Sequence, residues 1–434
     1  MNTTENVHIR RMQRTSVTLL LIAGIINYLD RSSLAIANVR VSVELGLSAT
    51  QMGLLLSSFS WVLAFALLPI GGILDRIGTR KILAAGLLIW SLAQIAGGFI
   101  TSLAGLFVVR ALLALGESPQ YPSGSKVVSE WFPVRKRGLP IGLILASATL
   151  GSMLAPPLQT ALLLSFGWRA MFVVMGAIGV PVAVAWFVLY RDRDDARLSA
   201  AQSAYLDTGD DVRQTSRKLT FHEWVGIFKQ RTTWGMIFGF MGILYMVYLH
   251  LAWLPNYLQR ERHLSIAHSG WAAAVPYLLG TVGMLCSGLV ADLLVRKGLS
   301  PIASRKIPLC VGLIGAAAFT VPAALTDSAV AAVAYISAAM LCLNLAGGSV
   351  WGLVSVAAPR HLVASLGSIQ NFGASIGAAF APFVTGWIVD TTHSFVDALL
   401  VSALLAVLSA ACYLFWVKHP IEACTPGCDV SVAA

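Results

Sequence analysis

Charge is scarce in this chain. Of its 434 residues only 12% are Asp, Glu, Lys or Arg, against about 25% in an average soluble protein, while 57% are hydrophobic. A soluble domain of this length cannot hide that much apolar surface in one core, whereas a lipid bilayer can cover it. Metal-ligand spacing is lacking as well. Four of the six cysteines, Cys286, Cys310, Cys342 and Cys412, lie inside apolar segments. Cys424 and Cys428 sit in the short tail, where no second Cys or His pair completes a zinc site. All six are read as small hydrophobes and free thiols of a reducing compartment. No nucleophile–base pair, metal motif or phosphate loop is present, so an enzyme is excluded and no cofactor is expected. The formal net charge of +10 would point to nucleic acid only if the basic residues gathered on one face. They stand between apolar blocks instead, so nucleic acid is not an expected partner. The N-terminal apolar run holds Asp30 and Arg31 and has no small-residue cleavage site after it, which makes it a first span and not a signal peptide.

What the chain has in abundance is long apolar runs. A span needs roughly 20 apolar residues to cross about 30 Å of hydrocarbon, and only helices satisfy every backbone group there without a closed barrel. Twelve such runs are expected, near 16–38, 52–74, 81–100, 103–125, 138–163, 169–190, 233–257, 270–294, 306–325, 328–353, 362–388 and 395–417. The predicted fold class is an all-α polytopic membrane protein with twelve transmembrane helices in two pseudo-symmetric six-helix bundles. Orientation follows from the 30 basic residues. With the N-terminus in the cytoplasm, only Arg40, Arg169, Arg260 and Arg262 face outward, and Arg31 and Arg110 fall within spans. The others, among them Arg76, Arg80, Arg135 and Arg360, lie inside. Both termini are therefore expected in the cytoplasm. The one long polar stretch, 191–231, reads as a cytoplasmic linker between an N-terminal bundle (1–190) and a C-terminal bundle with a short tail (232–434). Within it, Thr220 to Phe228 is a candidate amphipathic helix on the membrane surface.

Two local repeats support the duplication. Gly71-x3-Asp75, followed by Arg76, Gly78, Arg80 and Lys81, recurs as Gly288-x3-Asp292, followed by Arg296, Lys297 and Gly298. Gly151-x3-Ala155-Pro156 recurs as Gly377-x3-Ala381-Pro382. Small residues at this spacing let helices approach closely, and related halves place a binding site near the midplane between them.

At these residues the chain resembles the major facilitator superfamily, whose most characteristic motif is the loop Gly-x3-Asp75-Arg76-x-Gly78-x-Arg80-Lys81. Within it the chain resembles the anion:cation symporters, especially bacterial D-galactonate:proton symporters. That likeness is carried by Asn27-Tyr-Leu-Asp30-Arg31, Arg110-x5-Gly116-Glu117, Trp131-Phe-Pro, Trp253-Leu-Pro-Asn-Tyr257, Trp351-x2-Val-Ser355 and Asn371-Phe-Gly373. It implies a secondary transporter of the bacterial inner membrane, functional as a monomer, importing a small organic anion with protons by alternating access.

Ionisable groups inside spans cost roughly 2.5–3.5 kcal/mol each at a helix centre, so the few present need a reason. Arg31 in span one and Arg110 in span four both lie about 10 Å from the outer ends of their helices. Two guanidiniums at one level can converge on a carboxylate, which the planar fork of Arg fits two-pronged. Glu117, seven residues after Arg110 and on nearly the same face, is placed to exchange a proton. Asp30 points about 100° away from Arg31, toward an arginine of a neighbouring helix. A static ion-pair network that fixes packing is the alternative. The resemblance assigns Arg31 and Arg110 to substrate binding and Asp30 and Glu117 to proton coupling. It also brings Trp351 and Asn371 to the substrate and makes Asp75, Arg76 and Arg80 gating residues. His250 departs from the family, where an aromatic stands. It is taken as a substrate contact, with a buried structural histidine or a second titrating group as the other readings.

The likeness strains where sugar-acid carriers have a cavity tyrosine and glutamine, since Leu63 and Ala148 stand there. An unpaired buried hydroxyl costs roughly 1–3 kcal/mol, so an aromatic or less hydroxylated carboxylate, walled by Tyr245, Tyr248 and Trp351, is an alternative substrate. A proton-driven drug antiporter is a further alternative. It is opposed by the paired arginines and by the absence of the trailing Gly-Gly after Gly142-x8-Gly151-x3-Ala155-Pro156. A transporter-like anion receptor lacks an added signalling domain.

Overall fold

In a computed structural model the chain is described over residues 3–133, 136–193, 195–196, 198–208, 225–358 and 363–421. The principal elements are helices α1 (Thr3–Leu45), α2 (Ala49–Ile77), α3 (Thr79–Gly97), α4 (Leu103–Glu117), α5 (Gln120–Trp131), α6 (Gly138–Leu189) and α7 (Ala200–Leu206). They continue as α8 (Arg231–Arg260), α9 (Ile266–Arg296), α10 (Pro301–Leu325), α11 (Ala329–Ala357), α12 (Val363–Thr392) and α13 (Val396–Trp416). Arg135, Arg360, Cys424 and Cys428 lie outside the described residues. So does most of the expected surface helix over 220–228, of which 225–227 form a helical turn. The described part of the linker holds α7, whose Ser199 and Gln202 cap each other's backbone.

Nine helices among the described residues are long and apolar enough to cross a membrane, fewer than the twelve expected spans. The shortfall has local causes. Helix α6 is 52 residues long, about 78 Å at 1.5 Å per residue, more than twice the hydrocarbon thickness. It breaks at Gly167 (φ 82, ψ 168), a conformation that glycine adopts without a Cβ penalty, and so covers both the fifth and sixth expected spans. Helix α3 opens on Thr79-Arg80-Lys81, which lowers its mean hydropathy. The fourth expected span is not one helix. It stops as α4 at Glu117 and resumes as the more polar α5 after Ser118-Pro119, where proline removes a backbone donor and disfavours a regular ladder.

Helices α1 and α3 to α6 pack mainly on one another, as do α8 to α13, while α2 packs on both sets. Between the two sets, α2 packs on α12, α6 on α9 and α1 on α8. These contacts gather at one end of the helices, the end that carries Ser48. There the Asp390 carboxylate of α12 accepts from the backbone N–H groups of Ala49 (2.9 Å) and Thr50 (2.6 Å) at the start of α2. A negative group at a helix N-terminus meets unpaired donors and a favourable dipole. Two turns on, the Phe383 N–H donates to Ser57 Oγ (3.0 Å), just past Pro382, where the ladder is weakened. Gly53 against Pro382, Gly386 against Ala49 and Gly270 against Thr160 leave no room for a Cβ. At the opposite end, which carries Asp75, a Cβ on Gly71, Gly72, Gly138, Gly142 or Gly288 would meet nothing within 4 Å. The two helix sets are thus closed together at the Ser48 end and parted at the Asp75 end.

Asp390→Ala should cost the closed end about 1 kcal/mol, the usual worth of a side-chain cap, or roughly a fivefold change in the ratio of closed to open molecules. Spin labels at Gln51 and His393 should then show a larger long-distance fraction by electron–electron double resonance. An unchanged distance distribution would count against the latch.

Candidate functional site

The buried charges meet where α1, α4 and α8 approach one another. Arg31, 7% exposed, donates from Nη2 to Glu117 Oε2 at 3.0 Å and to Asn27 Oδ1 at 3.3 Å. Asn27 sits four residues earlier on α1, hence on the same face. Glu117 reaches Arg31 from the last residue of α4. From the other helix set, Tyr248 of α8 accepts from Arg31 Nη1 at 3.2 Å. The Arg31 guanidinium also lies 4.6 Å from the ring centres of both Tyr28 and Phe59. A cation over an aromatic face is worth about 0.5–2 kcal/mol.

Arg110 faces the same Phe59 ring at 5.0 Å and donates to the Arg31 carbonyl oxygen at 3.5 Å. The two expected arginines are therefore brought together at one phenyl ring. Arg31, Arg110 and Glu117 converge, and Asp30 does not join them as expected. It is wholly buried, and neither of its oxygens has a hydrogen-bond partner. The expected pairing with an arginine of a neighbouring helix is not found among the described residues, so the next helix face it points to holds no cation in reach. Glu117 Oε1 is buried without a partner too.

Beside this cluster, between the helix sets, is a cavity of about 190 Å³, small against the roughly 300–1,000 Å³ of common ligand pockets. Its wall includes Tyr28, Ala148, Thr149, Tyr248, Asn344 and Trp351. The indole of Trp351 stands edge-on to Phe240 at 6.0 Å. Arg31 is held just behind the wall by its bond to Tyr248. Other expected residues lie elsewhere. Asn371, half-buried on α12, is absent from this wall. His250 borders a separate small cavity with Trp253 and Thr385, its Nδ1 on the Met246 carbonyl oxygen (2.7 Å) and its Nε2 unpartnered. The Tyr245 hydroxyl is buried away from the main cavity. Leu63 packs into the core formed by residues 9–206. Sequence reasoning missed Asn27, Tyr28, Thr149 and Asn344. The first two lie one helical turn before Arg31 and Ser32, and the spacing of four could have found Asn27.

At the parted end, Asp75 Oδ1 accepts from Lys126 Nζ at 3.0 Å, and the same ammonium reaches the Leu74 carbonyl oxygen at 2.9 Å. Arg80 donates to the Phe187 carbonyl oxygen at 2.8 Å and stacks 4.5 Å from that residue's ring. Asp192 caps α3 through Thr79 N–H (2.9 Å) and Arg80 N–H (3.1 Å). Burial pushes its carboxyl above the usual range despite those two donors. Gly78, at φ 95, lies against Asp192 and has no room for a side chain. Arg76 is exposed. Every contact named for this loop stays within residues 74–192, on one side of the parting.

A family model described as Major Facilitator Superfamily matches residues 20–380. The chain belongs to that superfamily. It is 44% identical over 417 residues to a protein of Escherichia coli (strain K12) named "Probable L-galactonate transporter", covering 96% of this chain and 92% of the relative. It is 33% identical to the Bacillus subtilis (strain 168) "Probable galactarate/D-glucarate transporter GudP", covering 92% and 91%. It is 29% identical to the "D-galactonate transporter" of Escherichia coli O6:H1, covering 94% and 96%. Among solved structures, a bacterial homolog of the human lysosomal transporter Spinster, in an inward-facing and unoccupied conformation, superposes with a TM-score of 0.80. That pair is 18% identical, and the match covers 94% of this chain and 97% of the other. The chain is thus a polytopic membrane transporter of the major facilitator fold, not an enzyme.

Tyr248→Phe removes the one hydroxyl that ties Arg31 to the second helix set, and a bond to a charged group contributes about 1.5–3 kcal/mol. The purified variant should melt several degrees lower in detergent while inserting normally. An unchanged melting curve would show that the link carries no energy.

Proposed function

We propose that the chain is a secondary transporter that imports a small organic anion of the sugar-acid class together with at least one proton, by alternating access. The observation that carries this reading is the Arg31–Glu117 ion pair at 3.0 Å, next to the cavity and beside the unpartnered carboxyl of Asp30. A substrate carboxylate and Glu117 compete for one guanidinium fork. Protonating Glu117 removes the competitor, so anion and proton bind together. A proton without the anion would strand a buried guanidinium, and an anion without the proton would set two carboxylates on it. Either state costs several kcal/mol in an apolar interior. The empty carrier, with Glu117 back on Arg31, is neutralised and free to reorient. Arg110, also at Phe59, supplies the second cation, and Asp30 is placed to take a further proton. Tyr248 releases Arg31 when the anion arrives.

In this reading the chain crosses a bacterial inner membrane twelve times. Residues 1–190 and 232–434 form two six-helix bundles, 191–231 the cytoplasmic linker, and both termini are cytoplasmic. The charge distribution supports that orientation, which makes the Ser48 end the outer one, closed, and the Asp75 end the inner one, open. Asp75, Arg76 and Arg80 then gate the inner side. In this reading a monomer is the working unit. The names of the relatives at 44%, 33% and 29% identity support a sugar acid, and paired buried arginines suit an anion better than a cationic drug. Trp351 closes the mouth of the cavity over the substrate. Asn371 and His250 reach it only in another conformation.

Uptake of labelled L-galactonate into cells expressing the protein should be concentrative and collapse with a protonophore. In Glu117→Gln, accumulation should fall at least about tenfold while exchange of internal for external anion persists, because the neutral side chain mimics the protonated acid. Accumulation that ignores the protonophore would contradict proton coupling.

A further inference from the structure

The cavity lining is unusual in which hydrogen-bonding capacity it leaves free. Thr281 spends its single hydroxyl hydrogen on the Tyr277 carbonyl oxygen (3.0 Å), and Thr149 spends its own on the Ala146 carbonyl oxygen (3.0 Å). Both hydroxyls can then only accept. Asn344 donates from Nδ2 to the Met340 carbonyl oxygen at 2.9 Å. That amide is held from the other side as well. Gly280 lies so close that a Cβ there would stand 2.7 Å from Nδ2. With one Nδ2 hydrogen spent on its own helix, Asn344 keeps its carbonyl oxygen, an acceptor, and a second amide hydrogen for other partners. Three acceptor oxygens are thus offered by residues lining the cavity, from α6 on one side and from α9 and α11 on the other.

On the side nearer Arg31, the Tyr248 hydroxyl, already accepting from that guanidinium, has its hydrogen left to give, while neither Arg31 nor Arg110 is part of the lining. The remaining donors near these acceptors are neutral: the Ser152 hydroxyl and the Trp351 indole N–H. Among the described residues that border the cavity there is no lysine, arginine or histidine.

We infer that Asn344, Thr281 and Thr149 are specificity residues that read the hydroxyl tail of the substrate, so that the site takes a monocarboxylic polyol and rejects a dicarboxylic one. The inference rests on the sugar-acid reading above and refines it. A hydroxyl has a hydrogen to donate to each acceptor, whereas an ionised carboxylate has none and would face lone pairs with no cation to offset its charge. An unhydroxylated chain would leave the same acceptors unpaired. The three residues also account for the place of Ala148. The hydroxyl-binding group that sugar-acid carriers have at that position is replaced here by Thr149 next along α6 and by the α9–α11 pair across the cavity.

The test is competition in cells expressing the full chain, with labelled L-galactonate as the transported probe and three unlabelled six-carbon acids as competitors. D-Gluconate should compete, while galactarate and hexanoate should be at least about tenfold weaker, the range set by leaving buried polar groups unpaired. Thr281→Val and Asn344→Leu should each raise KM for L-galactonate about tenfold, with a smaller change in kcat, since the proton-coupling cluster is untouched. Asn344→Lys adds the missing cation and should bring galactarate up to compete with D-gluconate. Equal competition by galactarate and D-gluconate in the unaltered protein would overturn the inference. So would an unchanged KM in both Thr281→Val and Asn344→Leu. No uptake of labelled L-galactonate by inserted protein would instead overturn the sugar-acid reading beneath it.

Discussion

The structure depends on a single constraint: two guanidiniums and two carboxyls have been placed where water cannot reach them. Arg31 resolves most of that cost locally, through Glu117, Asn27 and Tyr248 and through the rings of Tyr28 and Phe59. Arg110 shares the Phe59 ring. What is left over is informative. Both Asp30 oxygens and Glu117 Oε1 have no partner, and uncompensated buried carboxylates are too costly to persist as decoration. Membrane interiors keep such groups where charge has to move. The same arginine that balances Glu117 is the one a substrate anion requires, and that shared dependence is what couples the two ligands in the proposed cycle.

Around this cluster the two helix sets are held asymmetrically. One end is drawn together by an interaction between a side chain and a backbone, Asp390 on the N–H groups that open α2, and by glycines that bring helix axes close. Interactions of this kind are few and local, so they can be given up and regained as the halves rock. At the other end, the Asp75, Arg80 and Asp192 contacts remain within one helix set. They stiffen the α2–α3 turn instead of bridging the halves. The cavity lies between the closed and the parted ends, with Tyr248 on the side nearer Arg31 and Thr149, Thr281 and Asn344 along its lining.

The parts of this architecture that follow from periodicity and charge were readable in the sequence. Long apolar runs announce helices because lipid permits nothing else, and Arg31, Arg110 and Glu117 stand out because charge in such runs is rare. What could not be read were matters of local geometry. Gly167 gave no sign that two spans would continue as one broken 52-residue helix. The split of the fourth span was marked by Ser118-Pro119, but proline is tolerated inside membrane helices too often for the dipeptide alone to decide. The partner of Glu117 depends on how α1 and α4 are turned toward each other, so Arg31 could be named but not paired. Asp30 illustrates the opposite difficulty. Its position was legible and its solitude was not, since a missing partner is a property of every neighbouring helix at once. Asn344 and Thr281 were hidden because a single Asn or Thr in an apolar run reads equally well as glue between helices.

The central claim is that the substrate anion takes Arg31 from Glu117, which then holds a proton. Infrared difference spectroscopy of the purified protein in lipid, recorded on adding L-galactonate, observes that carboxyl directly. The account predicts a new protonated-carboxyl band on anion binding, shifted in deuterated water and absent in Glu117→Gln. Anion binding with no change in any carboxyl band would show that Glu117 stays ionised on Arg31, and would contradict the account.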